Sequence, residues 1–462
     1  MTTNASRRRF LATTSRLSLA GAATPWAVNL AAISTAAAQS LPTDYKALVC
    51  IFMYGGNDHS NTVVPYDNAG YALYAQGRTN LALTQATLLP LATPTNPSMV
   101  GRQVALRAEL APLKSMYDAG RAAVLANVGT LVVPTSMVQY RARSVPLPPS
   151  LFSHNDQQSV WQTYNGRREG ARIGWGGKMG DLFAAANQFQ NFTCVSASGA
   201  AVLLSGQTTV QMQVGNNGGV AINGVNGTTL FGSASGPTTA RRLMTEDRTN
   251  LYEKDYNAIV KRSTDAAQTL NTALAAFPAN VAPFSNLPVT GLGNQLRNVA
   301  RMIAARTALG AHRQVFHVSI GGFDQHSGLV GGHGGRMTEL AGAMAAFYQA
   351  TADLGIASSV TTFTASDFGR TLDSNGDGSD HGWGAHHFVA GGAVRGGELY
   401  GTWPDTVLRG PNDVGRGNLL PTTSVIEYAA TLATWFGVPA TNLIDVLPNA
   451  VNFPQPNLGF MT

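Results

Sequence analysis

The sequence predicts an α/β fold, a three-layer sandwich in which helices cover both faces of a mostly parallel central sheet. Two observations lead to this prediction. Apolar runs rich in strand-forming residues, such as residues 47–54 (ALVCIFMY), alternate along the chain with segments of helical periodicity. The clearest run is apolar throughout, which is typical of a parallel strand that is buried on both faces.

The later elements repeat this strand and helix pattern. Strands are predicted at residues 47–54, 122–129, 314–320 and 360–365. Helices are predicted at residues 106–117, 157–164, 245–276, 292–309, 335–354 and 425–436. Between residues 196 and 237 the composition shifts to Gly, Asn, Ser, Thr and Val, and TTVQMQV alternates. We therefore expect a small inserted β region of short antiparallel strands there.

The N-terminal segment has the features of a twin-arginine signal peptide. The motif SRRRFL at residues 6–11 precedes a mildly apolar, Ala-rich run and three alanines before Gln39. Residues 17–33 contain Pro25 and Asn29 and are too weakly hydrophobic for a good membrane-spanning helix. We expect residues 1–38 to be cleaved after Ala38. The mature α/β domain, residues 39–462, would then be periplasmic or secreted, without a stable membrane span and with the twin-arginine translocase as its partner during export.

Composition argues against nucleic acid as a partner. The whole chain carries a formal charge of +6, but the predicted signal peptide holds four Arg and no acid, which leaves 27 basic against 25 acidic side chains. Such a nearly neutral surface lacks the clustered basic residues that bind phosphate backbones. The two cysteines, Cys50 and Cys194, have no metal-binding spacing, and we interpret them as small buried hydrophobic residues rather than a disulfide.

Polar residues follow three of the predicted strands, at residues 55–59, 321–326 and 366–370. Sites in open parallel sheets assemble at the carboxyl ends of strands, so we expect these three segments to converge on one crevice. Five of the nine His residues also fall between residues 326 and 387, alternating with Gly and Asp. The predicted metal ligands are Asp58, Asp324, His326, Asp367 and His381.

The predicted cofactor is a divalent metal. Carboxylate and imidazole ligands suit zinc, manganese or iron. Calcium is a further candidate because residues 373–378 (DSNGDG) match the opening of a calcium-binding loop, but the twelfth position is Gly384 instead of Glu. A solvated turn explains this loop better. The identity of the metal stays open among zinc, manganese and calcium.

The remaining His residues receive other interpretations. His386 and His387 are adjacent and, in extended backbone, point to opposite faces, so at most one of them reaches the same metal centre. His333 is predicted to lie in a Gly-rich loop, where it could contact substrate or have no role. His312 and His317 are assigned to packing.

A candidate nucleophile is Ser153, which precedes the helical segment QQSVWQTY. The free N–H groups and positive dipole end of a helix favour an oxyanion there. The alternative, equally supported, is that Ser153 is only an N-cap. Arg370 and Asn57 are candidates for steadying an anionic transition state.

Several motifs, taken together, resemble one family. They are FMYGGNDHSNTVVPYD near residue 52, SHNDQQSVW near 153, GGFDQH near 321, SDFGRT near 366, SDHGWGAHHFVAGG near 379, and TLATWFGVP with NLGFM near the end. The chain resembles the family called domain of unknown function 1501, whose members are exported by the twin-arginine route and are placed in the alkaline phosphatase and sulfatase superfamily. The resemblance covers nearly the whole mature chain and implies an alkaline phosphatase-like sheet.

The resemblance also implies roles for individual residues. Asp58 matches the first-strand ligand, Ser153 the nucleophile, Asp324 and His326 a ligand pair, Asp367 the strand-end acid, and His381 the late His. Position 368, where the superfamily usually has a His, is Phe368.

The functional hypothesis is an exported metal-dependent hydrolase of phosphate or sulfate esters, in which Ser153 or a metal-activated water attacks the ester of a small molecule or glycan in line. The alternative is a catalytically inactive, secreted metal-binding or glycan-associated protein on the same scaffold, which Phe368 favours. A third hypothesis is an assembly partner of another exported protein.

Overall fold

The computed structural model describes residues 41–164, 170–220, 222, 224–225 and 227–462. Residues Asp44–Thr462 form one compact unit. The predicted signal peptide, its cleavage site and Gln39 lie outside the described residues, so cleavage and export stay predictions. Within the described part of the chain, no helix has the length and apolar character needed to cross a bilayer.

Ten of the strands form one large sheet, and three form a small one. The strands are β1 Lys46–Met53, β2 Val63–Pro65, β3 Leu89–Pro90, β4 Val104–Leu106, β5 Ala122–Gly129, β6 Cys194–Ser196, β7 Met212–Gly215, β8 Gly218–Gly219, β9 Arg313–Ile320, β10 Val360–Ser366, β11 Ala385–Gly391, β12 Leu399–Gly401 and β13 Thr423–Ser424. The large sheet has the order β12-β5-β11-β10-β1-β9-β6-β7-β8, with β13 also paired to β5. The small sheet has the order β2-β4-β3.

The helices cover both faces of the large sheet. They are α1 Asn68–Arg78, α2 Ala111–Asp118, α3 Met137–Ala142, α4 His154–Thr163, α5 Trp175–Phe183, α6 Gly236–Thr245, α7 Leu251–Leu274, α8 Gly291–Ala304, α9 Leu329–Asp353, α10 Val425–Phe436 and α11 Leu443–Val446. Side chains from α2, α7, α8 and α9 share one core, and those from α4, α5, α10 and α11 share the other.

Strand β1 shows why the sequence forms this sandwich. Its odd-numbered residues, including Val49 and Ile51, enter one core, whereas Leu48, Cys50 and Phe52 enter the other. Because successive side chains of a strand point to opposite faces, a strand that helices cover on both sides must be apolar throughout. The predicted three-layer α/β fold with a mostly parallel sheet is therefore confirmed. Both cysteines are free and buried.

Several predicted helix boundaries differ from the structure; for example, the helix predicted at 292–309 ends at Ala304. The helix predicted from residue 106 begins at Ala111, because Val104–Leu106 pairs with β2 and β3 instead. The helix predicted at 245–276 is two helices, α6 and α7, and Asn250 caps the second by accepting hydrogen bonds from two backbone N–H groups. The helix predicted from residue 335 begins at Leu329.

The predicted β region contains β7 and β8, which pair in the expected antiparallel sense. Strand β7 also pairs with β6 in parallel, and β6 pairs with β9 in parallel. This region therefore extends one edge of the main sheet.

The order of the central strands positions the candidate site. Strand β1 lies between β10 and β9 and is parallel to both. The carboxyl ends of these three strands are consequently neighbours at one edge of the sheet, as the sequence predicts.

Candidate metal centre

The loop after β9 carries Asp324 and His326 close to the loop after β1. Gly55 has φ +115°, and a Cβ atom at this position would lie 2.3 Å from the backbone nitrogen of Asp324. The loop after β1 can therefore approach the backbone of Asp324 this closely only with a glycine at position 55. The side chain of Asp324 is 46 % exposed, so it is accessible from solvent.

Helix α4 brings His154 to the same place. Its Nδ1 atom donates a hydrogen bond to Oδ2 of the buried Asp367, at 2.6 Å. The same oxygen also accepts hydrogen bonds from Gln158 Nε2 at 2.9 Å and from the Gly55 backbone at 3.2 Å. With Nδ1 occupied, Nε2 of His154 lies 3.4 Å from Oδ2 of Asp324.

His381 has the same orientation. Its Nδ1 atom donates a hydrogen bond to the backbone oxygen of Phe152 at 2.7 Å, because a carbonyl can only accept. Its Nε2 atom is thereby left with a lone pair, and it lies 3.2 Å from Oδ1 of Asp324.

His326 is the third imidazole, and its side chain is 45 % exposed. Its Nδ1 atom lies 3.1 Å from Oδ1 of Asp380. Its Nε2 atom lies 3.0 Å from Oδ1 of Asp324 and 3.1 Å from Nε2 of His381.

These contacts make a donor set that fits a divalent metal. The candidate ligand atoms of His154, Asp324 and His381 all lie within 4.8 Å of one another. Nε2 of His154 is buried and makes no hydrogen bond within the described part of the chain. Metal-binding imidazoles usually have the other nitrogen held by a carboxylate or carbonyl, which is the arrangement here.

Arg370 forms a hydrogen-bonded ion pair with Asp324. Its buried guanidinium donates from Nη1 to Oδ1 of Asp324 at 3.0 Å and to the Gly55 backbone oxygen at 2.9 Å. Burial alone would raise the pKa of Asp324, but the guanidinium and the neighbouring imidazoles outweigh burial and lower it. Asp324 is therefore held as a carboxylate, the form that binds metal.

The pKa values of His154 and His381 are shifted in opposite directions. The hydrogen bond to Asp367 raises the pKa of His154. Burial lowers the pKa of His381, which favours its neutral, ligating form. Around Asp380, burial works against ionisation, but hydrogen bonds from Asn375, Arg416 and His326 lower its pKa to about 2.

Two of the predicted residues, Asp58 and Asn57, have partners inside the protein. Asp58 is buried and forms an ion pair with Arg78 of α1, so the structure gives it an internal cationic partner. Asn57 is buried, and its Oδ1 accepts a hydrogen bond from Nε2 of His333 at 2.9 Å. Ligation by Asp58 and substrate contact by Asn57 stay predictions.

Ser153 is the N-cap residue of α4, directly before His154. Its hydroxyl donates a hydrogen bond to Oδ2 of Asp156 at 2.6 Å. Ser153 thus occupies the N-cap position, but its side chain makes no capping hydrogen bond to the helix backbone. Its role as a nucleophile stays a prediction.

The other buried His residues are His59, His317, His333, His386 and His387. Burial lowers the pKa of His386 and of His387 to about 3, and that of His317 to about 4. His333 lies within α9, not in a loop, and Arg107 donates a hydrogen bond to its Nδ1. His59 contacts His386 at a ring distance of 5.3 Å.

The loop proposed as a calcium-binding candidate has internal partners. Asp373 accepts from Nε of Arg416 at 3.0 Å, and Asp377 accepts from the Gly328 backbone at 2.8 Å. Asn375 donates to Asp380 at 2.8 Å. These contacts agree with the interpretation of the loop as a turn.

His154 is the site residue that sequence reasoning missed. Its signal was its position directly after Ser153 in the motif SHND. Phe368 packs against the rings of His154 and His381, at 4.8 and 4.7 Å between centroids. The imidazole that touches Asp367 is therefore supplied by α4 and not by position 368.

Several solved structures are distantly similar to this chain. One is Ps i-CgsB in complex with k-i-k-neocarrahexaose, with 9 % identity, a TM-score of 0.35 and coverage of 90 % of this chain and 78 % of that one. A second is the PsFucS1 sulfatase from Pseudoalteromonas sp., with 10 % identity, a TM-score of 0.35 and coverage of 90 % and 73 %. A third is the phosphonate monoester hydrolase of Agrobacterium radiobacter, with 10 % identity, a TM-score of 0.29 and coverage of 85 % and 74 %.

These TM-scores are too low to transfer a ligand set or an activity to this chain. No curated protein matches it. Its family is established by sequence, because the model described as "Protein of unknown function (DUF1501)" matches residues 45–423, most of the chain. The chain belongs to the DUF1501 family.

Proposed function

We propose that this protein is an exported, metal-dependent hydrolase of phosphate or sulfate esters. The observation that carries the proposal is the convergence of three imidazole Nε2 atoms, from His154, His326 and His381, on the carboxylate of Asp324. The set lies at the carboxyl edge of a parallel sheet, where α/β enzymes bind their ligands.

The donor set favours zinc or manganese over calcium. Imidazole nitrogens suit zinc and manganese, whereas calcium takes oxygen ligands. His154, Asp324 and His381 would hold the metal, and His326 could complete the set. When bound, the metal supplies Lewis acidity that polarises the ester oxygen.

Ser153 is the proposed nucleophile. It begins the helix whose first residue is His154, so its hydroxyl and a ligand imidazole are fixed by the same helical turn. Asp156 accepts the hydroxyl hydrogen bond and is positioned to receive that proton as the serine oxygen bonds to phosphorus or sulfur. The bond from phosphorus or sulfur to the ester oxygen breaks in the same step, the alcohol leaves, and water then hydrolyses the serine ester to phosphate or sulfate.

Arg370 acts in this proposal through Asp324. All of its named contacts are internal, with backbone oxygens of Gly55 and Ser379 and with the Asp324 carboxylate. Its charge therefore orients the carboxylate and holds it ionised. Arg370 and Asn57 could stabilise an anionic transition state directly only if both buried side chains became exposed.

Metal content tests the first half of the proposal. The purified protein, expressed with zinc and manganese supplied, is expected to retain close to one metal per chain by elemental analysis. Asp324→Ala should lose it, and Asp405→Ala, which changes an exposed aspartate outside the site, should not. Less than about 0.2 metal per chain in the wild type would overturn the proposal.

Turnover tests the second half. Aryl phosphates and aryl sulfates are to be screened with the wild type, Asp324→Ala, Ser153→Ala and Asp405→Ala. Loss of activity in Asp324→Ala and Ser153→Ala, with activity retained in Asp405→Ala, would support hydrolysis through this site. Equal rates in the wild type and Asp324→Ala would place the chemistry elsewhere.

The second candidate function is metal or glycan binding without turnover. Phe368 favours it, because an apolar ring packs beside His154 and His381 at the position where the superfamily resemblance implies an imidazole. Bound metal without turnover of any ester would support this function.

Export by the twin-arginine route is part of the proposal. It is supported by the SRRRFL motif and the alanines before Gln39. N-terminal sequencing of protein recovered from the periplasm or medium should begin at Gln39, and Arg7→Lys/Arg8→Lys should leave the precursor inside the cell.

A further inference from the structure

A row of exposed side chains runs along the first half of α7. Tyr252, Tyr256 and Ile259 are 84 %, 59 % and 55 % exposed, and the exposed Ser263 continues the row. We call these four residues the α7 stripe. Their spacing of four, three and four residues is that of the core positions of a coiled coil.

The α7 stripe is distinct from the face by which α7 joins its own domain. That inner face includes Asn257, Val260, Thr264 and Ala267, which are buried. The described residues thus cover one side of the helix and leave a second, largely apolar side exposed. Exposed apolar rows of this kind mark interaction surfaces when they are contiguous.

Two charged residues identify the partner. Asp255 and Arg262 are seven residues apart, so they lie on the same flank of the α7 stripe. Neither makes an ion pair among the residues that the structure describes. When two copies of one helix pack antiparallel, the same flank of each copy meets, so that Asp255 of one copy lies beside Arg262 of the other.

The alternatives fit this flank less well. In a parallel pair, Asp255 would face Val260 of the second helix, which leaves the carboxylate without a cation. A membrane surface would favour basic residues along the polar edge of the helix, whereas this edge carries both signs.

We infer that the α7 stripe is a self-association surface, on which a second copy of this chain packs through antiparallel α7 helices. The arrangement is a closed two-fold dimer, in which the Asp255–Arg262 pair occurs twice. A contact of three helical turns buries less surface than a standard interface, which buries at least about 1,200 Å². The dimer is therefore weak, and its population depends on protein concentration.

Sedimentation velocity from about 1 to about 100 μM protein tests the surface. The wild type should shift from monomer toward dimer as the concentration rises. Tyr256→Glu should stay monomeric because it places a charge in the stripe. Val138→Glu, which changes an exposed valine of α3, should behave as the wild type. Circular dichroism melting curves establish that each variant is folded.

A charge exchange tests the partner. Asp255→Arg and Arg262→Asp, each alone, place like charges together and should weaken the dimer by about tenfold. An equimolar mixture of these two variants, and the double variant, should dimerise as well as the wild type. A wild type that is monomeric at every concentration, or single variants that dimerise normally, would overturn the inference.

Discussion

His154 donates a hydrogen bond from Nδ1 to the buried carboxylate of Asp367 at 2.6 Å, and this contact turns its Nε2 toward Asp324. Asp367 comes from the end of β10, whereas His154 comes from the start of α4. A strand-end acid thus acts on the candidate metal centre through a histidine. Asp367 therefore orients His154 through Oδ2, whereas its Oδ1 atom is buried without a hydrogen-bond partner among the described residues, so direct ligation by Asp367 stays a prediction.

Asp367→Asn should weaken metal binding by about 10 to 100-fold, because an amide orients the His154 ring less firmly and makes its Nε2 less basic. Titration with zinc against a chelating indicator measures the affinity. Asp405→Asn is the matched control. An unchanged zinc affinity in Asp367→Asn would show that this contact does not orient a ligand.

Asp380→Asn tests whether His326 belongs to the ligand set. Asp380 touches Nδ1 of His326 and is itself held by Arg416, which also pairs with Asp373. We expect weaker metal binding in Asp380→Asn and no change in Asp373→Asn, which disturbs the same arginine without touching the imidazole. Equal losses in both variants would assign the effect to the loop as a whole.

The convergence at the sheet edge could be predicted from sequence, because polar residues directly follow apolar strands and parallel strands end at a common edge. The structure brings His381 close to Asp324, but His381 was predicted from the His-rich segment and not from a strand end. The strand-end pattern accounts for Asp324 and His326, which follow β9. It gives no information about side-chain direction. Asp58 follows β1 as predicted, but Arg78 of α1 lies within reach and forms an ion pair with it.

For His154, the sequence shows the position of the residue but not the orientation of its ring. Its place at a helix start is visible in the sequence, but its ring orientation depends on Asp367, 213 residues further along the chain. The burial of Asn57 and Arg370 likewise depends on contacts with residues far away in the sequence, in helix α9 and in the loop after β1. Local patterns therefore predicted the strands and the edge, whereas tertiary contacts decide which polar residues face solvent.

The ion pair of Asp58 and Arg78 distinguishes a structural role from ligation. Both side chains are fully buried. Arg78→Met leaves an uncompensated buried carboxylate and should lower the free energy of unfolding by about 3–5 kcal/mol. Chemical denaturation measures this loss. If the role of Asp58 is structural, the folded fraction of Asp58→Asn should retain its metal; stoichiometric metal loss would restore Asp58 as a ligand.

Acid should destabilise the protein through its buried histidines. Burial lowers the pKa of His386 to about 3, and the Asn127 backbone N–H donates to its Nδ1, which must therefore be unprotonated. The unfolded chain has an ordinary histidine pKa of about 6.5 and binds more protons between the two values. The contribution to stability is thus fully present above about pH 6.5 and is lost as the pH falls toward 3.

His386→Gln isolates this contribution, because its amide oxygen can accept the same hydrogen bond without titrating. Urea denaturation at about pH 7 and about pH 5 should show that acid lowers the free energy of unfolding more in the wild type, by about 1 kcal/mol per pH unit. Every other titrating group is shared by the two proteins, so the difference in slope belongs to position 386. Equal slopes would contradict the lowered pKa of His386 in the folded protein.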